Sequence, residues 1–132
     1  MKRVPLLIGV ACLSGAATCD PPPPTFVQLR TTVFEPRCGN AAACHGDNPA
    51  RGLDLLIDPY SALVNQVSVA DPTQQYVVPG DPDNSLLLAI LRGPVDVDDN
   101  ALDARQMPPG FVLPQETVAE IEAWIAAGAA ND

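Results

Sequence analysis

The chain has 132 residues, 15 of them proline, with aromatic residues at 5% and a formal net charge of −9 at pH 7. That length holds one small domain, and so acidic a chain excludes nucleic acid as a natural partner, because its phosphates would be repelled. With few aromatic rings the core must come from Leu, Val, Ile and Ala, a thin core of the kind small domains supplement with a disulfide, a metal or a cofactor.

Lys2 and Arg3 precede an apolar run from Val4 to about Ala17, followed by small residues up to Cys19. This is the pattern of an export signal, and the run is too short for a transmembrane helix. Residues 1–18 therefore read as a signal peptide. Residues 19–25 read as a linker, because Pro21 to Pro24 form a stiff polyproline spacer. Signal, Cys and linker in that order resemble a bacterial lipoprotein, in which acylated Cys19 would tether the domain to a membrane. Thr18 and Ala16 stand where a lipobox carries a small and an aliphatic residue. Cleavage after Ala16 or Ala17 and an uncleaved anchor are the alternatives. Each places the domain, residues 26–132, outside the cytoplasm, in the periplasm or outer envelope. Without Lys2 and Arg3 the chain keeps five arginines against sixteen carboxylates, a net charge near −11. Such a surface steers association toward a basic patch on a partner protein, or else serves solubility.

In chain order, Phe26, Val27, Leu29, Val33 and Phe34 follow a helical stripe, which predicts a helix over Thr25–Arg37 ending at Glu35-Pro36. Leu53 to Ile57 is a short apolar run consistent with extended chain. Pro59-Tyr60-Ser61 opens a helical turn through Ala62 to Val67. The turn-rich stretch Val77 to Ser85 leads to a helix Leu86 to Leu91, with Asp83, Asn84 or Ser85 as its cap. Arg92 to Gln106 is acidic and loop-like. Pro114 to Ala127 is an amphipathic helix with Val118, Ile121, Trp124 and Ile125 on its buried side, acidic residues in its early turns, and Gly128 as its stop. No repeat and no sustained strand alternation is visible. The expected class is all-α, with four to five short helices, and long loops in so small a domain need something to wrap around.

The stretch C-G-N-A-A-A-C-H-G, Cys38 to Gly46, carries the most chemistry. Two thiols followed at once by an imidazole are what covalent haem attachment requires: the thiols bond the vinyl groups and the adjacent His ligates iron. Five residues, Gly39 to Ala43, separate the cysteines where the usual motif has two. A Cys38–Cys44 disulfide with His45 at the surface is the alternative in an oxidising compartment. A mononuclear metal site is a third reading, with at most three clustered ligands. Met107 is the only methionine after the first residue, and Pro108-Pro109-Gly110 behind it makes a rigid loop suited to delivering a thioether to the opposite haem face.

The ordered segments F-E-P-R-C, C-H-G, G-L-D-L, Y-S-A-L-V-N, V-V-P-G-D-P-D-N-S-L-L, Q-M-P-P-G and E-I-E-A-W-I-A-A-G-A, spanning Phe26 to Ala129, resemble the cytochrome c-like domains of exported bacterial proteins, especially those with widened spacing between the haem cysteines. The resemblance implies a cytochrome c-like fold around one covalent haem c. It implies attachment at Cys38 and Cys44, His45 as proximal and Met107 as distal iron ligand. It further implies N- and C-terminal helices crossing so that Phe34 or Phe26 approaches Trp124 or Ile121, and a carbonyl near Pro49 accepting the imidazole N–H. The implied function is single-electron transfer with a redox partner protein, not enzymatic catalysis. The alternative is a haem-free exported binding or structural module with a Cys38–Cys44 disulfide, and a haem domain with an open distal face is a third.

Other groupings carry little. Asp96, Asp98, Asp99, Asn100 and Asp103 do not follow a calcium-loop spacing and read as a solvated acidic loop. Ser61, Ser68 and Ser85 lack the setting of a hydrolytic nucleophile.

Overall fold

The structure is a computed structural model, and it describes residues 21–40, 44–69, 71–93, 106–109 and 112–132. The signal peptide, Cys19, the acidic stretch from Asp96 to Asp103 and Gly110 lie outside the described residues. Among those described the class is all-α, as expected: no strand forms, and three isolated bridges, Val64 with Val77, Val67 with Gln75 and Gln75 with Ser85, are the only β pairings. No described helix is long and apolar enough to cross a membrane.

The first helix opens with α1 (Phe26–Leu29) and continues without interruption as a π-helix over Arg30–Gly39. Thr25 caps it reciprocally, its hydroxyl accepting from the Gln28 N–H at 3.2 Å while the Gln28 side chain accepts from the Thr25 N–H at 2.9 Å. The expected stop at Pro36 does not occur. In an α-helix the proline ring would collide with the Thr32 carbonyl, whereas the wider i→i+5 winding moves that carbonyl aside, so the helix carries on to Gly39. Phe26, Leu29, Val33 and Phe34 are its buried face.

Leu53 to Ile57 is irregular rather than extended. The Asp54 carboxylate accepts from the N–H groups of Leu56 and Ile57, a local turn that competes with strand geometry. Helix α2 (Pro59–Leu63) starts on an Asp58 cap, whose carboxylate accepts from Ser61 N–H at 3.2 Å, with Pro59 in the first turn. It stops four residues short of the expected Val67: Val64 turns extended and Asn65 takes φ 59°, a conformation Asn tolerates. Helix α3 (Leu86–Arg92) has Ser85 at the cap position, yet no side chain caps it. The Ser85 hydroxyl instead accepts from Val78 N–H and donates to the Asp81 carbonyl. The leading N–H groups of Leu86 and Leu87 donate to the carbonyls of Gln75 and Tyr76, so backbone does the capping.

Helix α4 (Gln115–Ala126) buries Val118, Ile121, Trp124 and Ile125, the four residues expected. Gly128, at φ 106°, ends it: Gly128 N–H bonds the Ile125 carbonyl and Ala129 N–H the Trp124 carbonyl, the paired closure that needs a left-handed residue. The chain then folds back to the start of α1. Asp132 accepts there from two helix-opening N–H groups, from Val27 through its main-chain oxygen at 3.0 Å and from Phe26 through its carboxylate at 2.9 Å. Two side chains pin the same tail, Trp124 donating its indole N–H to the Ala130 carbonyl and Tyr60 its hydroxyl to the Ala129 carbonyl. Phe26 is the hub of this end of the core, its ring 5.5 Å from Trp124, 5.1 Å from Tyr60 and 6.0 Å from Phe34. An Arg92–Glu122 ion pair at 2.6 Å ties α3 to α4.

Candidate functional site

The helix that begins in the aromatic cluster ends at Cys38 and Gly39, which carries the first thiol to the other end of the core. The chain returns at Cys44 and is stitched down by its own backbone. His45 N–H donates to the Cys38 carbonyl at 3.0 Å and Ala50 N–H to the Cys44 carbonyl at 2.7 Å. Leu55 N–H donates to the His45 carbonyl at 2.7 Å. These bonds set the imidazole between the helix end and the Leu53–Leu55 segment.

His45 Nδ1 lies 3.0 Å from the Leu53 carbonyl oxygen. A carbonyl can only accept, so Nδ1 carries the hydrogen and the lone pair of the neutral ring is on Nε2. Burial lowers the His45 pKa below its ordinary 6.5, against a smaller opposing effect of the Leu53 hydrogen bond, so the ring is neutral at pH 7. An imidazole with Nδ1 held and Nε2 unprotonated is a ready metal ligand. The expectation placed this carbonyl near Pro49; it belongs to Leu53, because the Ala50–Gly52 turn, with Arg51 at φ 55°, swings the chain back before it reaches the ring.

Cys38 and Cys44 are both partly buried, unbridged thiols. Burial, reinforced by the proximity of Cys44 and only weakly opposed by Arg37, pushes the Cys38 pKa up to about 11. Met107 arrives from the opposite side of the chain order. Its N–H donates to the Ile90 carbonyl at 3.2 Å, one of the carbonyls in the last turn of α3 that has no partner within its own helix.

Cys38, His45 and Met107 line one apolar cleft with two lobes that also share Ala50 and Leu91. The larger lobe, lined by more residues, encloses about 90 Å³ and runs over Leu53, Leu55, Leu63, Leu86 and Leu87, with Arg51, Ser68, Asp71 and Tyr76 as its polar lining. The smaller lobe, also about 90 Å³, is lined in addition by Cys44, Arg37, Pro108 and Pro109. The structure thus brings Cys38, Cys44, His45 and Met107 to a common cleft, while Cys19 lies outside the described residues. Among the described residues no three His, Cys, Asp or Glu side chains gather as a bare metal ion would require.

The donor set is of the kind a haem c takes: two thiols, an imidazole whose Nδ1 is held by a carbonyl and a thioether, all lining a largely apolar cleft. Sequence reasoning missed the Leu53 and Ile90 carbonyls, which carry no side-chain signature, and the polar lining by Arg51, Ser68 and Tyr76, whose members are scattered along the chain. Comparison with family models, with curated proteins and with solved structures finds no match.

Proposed function

We propose that this chain is an exported c-type cytochrome that transfers single electrons, with a cytochrome c-like fold over residues 26–132. The observation that carries the reading is the His45 imidazole: Nδ1 is fixed on the Leu53 carbonyl, and the ring lines a cleft shared with Cys38, Cys44 and Met107. A bound haem supplies reversible ferric–ferrous chemistry. Cys38 and Cys44 would hold it through thioethers, and His45 through Nε2 and Met107 through its thioether would ligate its iron. The leucines of the larger lobe exclude water, and the Leu53 bond fixes the imidazole's tautomer and orientation, which sets its basicity toward a metal. The acidic surface guides short encounters with a redox protein bearing a basic patch. Signal-directed export and acylation at Cys19 would hold the domain at an envelope membrane.

The test is the intact mass and extraction behaviour of full-length protein made with c-type maturation factors. The expected result is a gain of one haem mass and low-spin haem absorbance that survives acid–acetone. A loss of two hydrogens without haem would replace this reading with the disulfide-bonded, haem-free module.

A further inference from the structure

We infer that Gly39 is a positioning residue, whose missing side chain lets the end of the first helix seat directly on the Leu55–Leu56 backbone and so sets where the Cys38 thiol stands relative to the His45 ring. A Cβ built at Gly39 would lie 2.7 Å from the Leu55 carbonyl oxygen, 2.9 Å from its carbon and 3.0 Å from the Leu56 Cα. All three are backbone atoms, so no flexible side chain can yield. Gly39 is buried, and its φ lies outside the left-handed range, so the requirement is one of space rather than of backbone freedom.

The consequence reaches the site by a short path. Leu55 N–H holds the His45 carbonyl, the Leu53 carbonyl holds the His45 ring, and the Cys38 carbonyl holds the His45 N–H. The segment that Gly39 touches is therefore the segment that orients the imidazole, and the residue next to Gly39 is the thiol. A methyl group at position 39 must push the helix end and the Leu53–Leu55 segment apart, which pulls Cys38 and His45 in opposite directions. Cys38, Cys44 and His45 would all have to reach one rigid macrocycle, and covalent attachment depends on reacting atoms already held in place.

The haem part of this inference rests on the function proposed above; the positioning part does not. The experiment compares Gly39→Ala with Gly93→Ala, where a Cβ meets nothing within 4 Å, in the full chain made with c-type maturation factors. Near-UV dichroism of the Phe26–Trp124 cluster reports folding at the far end of the core. The ¹⁵N resonances of His45 in haem-free protein report the Nδ1 bond. The expectation is that G39A keeps the aromatic signal, loses the hydrogen-bonded Nδ1 signature and yields about tenfold less covalently loaded protein, while G93A matches wild type. A folded G39A with the wild-type His45 signature overturns the proposal. If wild type takes up no haem, the proposed function fails and the His45 signature alone decides. If G39A does not fold, hydrogen exchange of the wild type decides: the His45 and Leu55 amides must be protected together, and fast exchange of either overturns the inference.

Discussion

The His45 imidazole and the Leu53 carbonyl, eight residues apart, meet at 3.0 Å between Nδ1 and oxygen. The bond joins the segment after the thiols to the floor of the cleft, and it fixes both the tautomer of the ring and the direction in which Nε2 points.

Burial of this ring makes the haem-free protein sensitive to mild acid. Burial holds the His45 pKa below 6.5 in the folded state, so below 6.5 the unfolded chain binds more protons than the folded one. Stability is full above 6.5 and is lost as pH falls through the lowered folded value. Urea midpoints should drop between about pH 7.5 and 5, and His45→Gln should remove most of that slope. Asp58 and Asp71 add a second loss at lower pH, since hydrogen bonds from Ser61 and Thr73 hold their carboxyls below 3.8. A midpoint that stays level in mild acid would contradict a buried neutral imidazole.

In haem-free protein Cys38 should alkylate slowly. With its pKa near 11 against an ordinary 9.0, its thiolate fraction at about pH 8 is roughly a hundredfold below that of an unperturbed thiol. Peptide mapping after timed iodoacetamide treatment reads it, with a rate that keeps climbing above pH 9.0. Rapid labelling of Cys38 at neutral pH would show that the helix end is more open than described.

The clasp between the chain's last described residue and α1 should be measurable. Asp132→Ala removes the carboxylate that accepts from Phe26 N–H while leaving the main-chain bond to Val27, and should lower stability by roughly 1 kcal/mol, the usual worth of a helix cap. Equilibrium urea unfolding checks it, and Asp132→Asn should recover most of the loss. No change in either variant would mean that water serves Phe26 N–H equally well.

Phe26→Ala should be far more damaging. The ring is 3% exposed and contacts Trp124, Tyr60 and Phe34, and truncating a buried phenylalanine costs about 3–5 kcal/mol. Loss of near-UV dichroism together with a lower melting midpoint is the expected result, whereas a midpoint close to wild type would mean that the cluster contributes little.

For the loaded protein, Met107→Ala should convert a closed distal face to an open one. Wild-type ferrous protein is expected to take up carbon monoxide poorly, and the variant readily, by absorbance titration. Ready uptake by wild type would remove Met107 from the ligand set and favour a domain that senses or activates small ligands.

Side-chain pattern alone determined the all-α class, the buried face of α4 and its stop at Gly128, and four of the five residues expected in the first stripe, Phe26, Leu29, Val33 and Phe34, whereas Val27 is exposed. It also marked Cys38, Cys44, His45 and Met107, whose chemistry is written in their side chains. Tertiary structure decided what passes through the backbone, which looks alike at every residue. Wide winding carries the first helix past Pro36. Gln75 and Tyr76 carbonyls replace the expected side-chain cap of α3. Leu53 rather than the neighbourhood of Pro49 holds the imidazole, Ile90 anchors Met107, and Asp132 closes the start of α1. Each of these pairings depends on where a carbonyl arrives after the chain has turned, and that is settled only by the packing of the whole core.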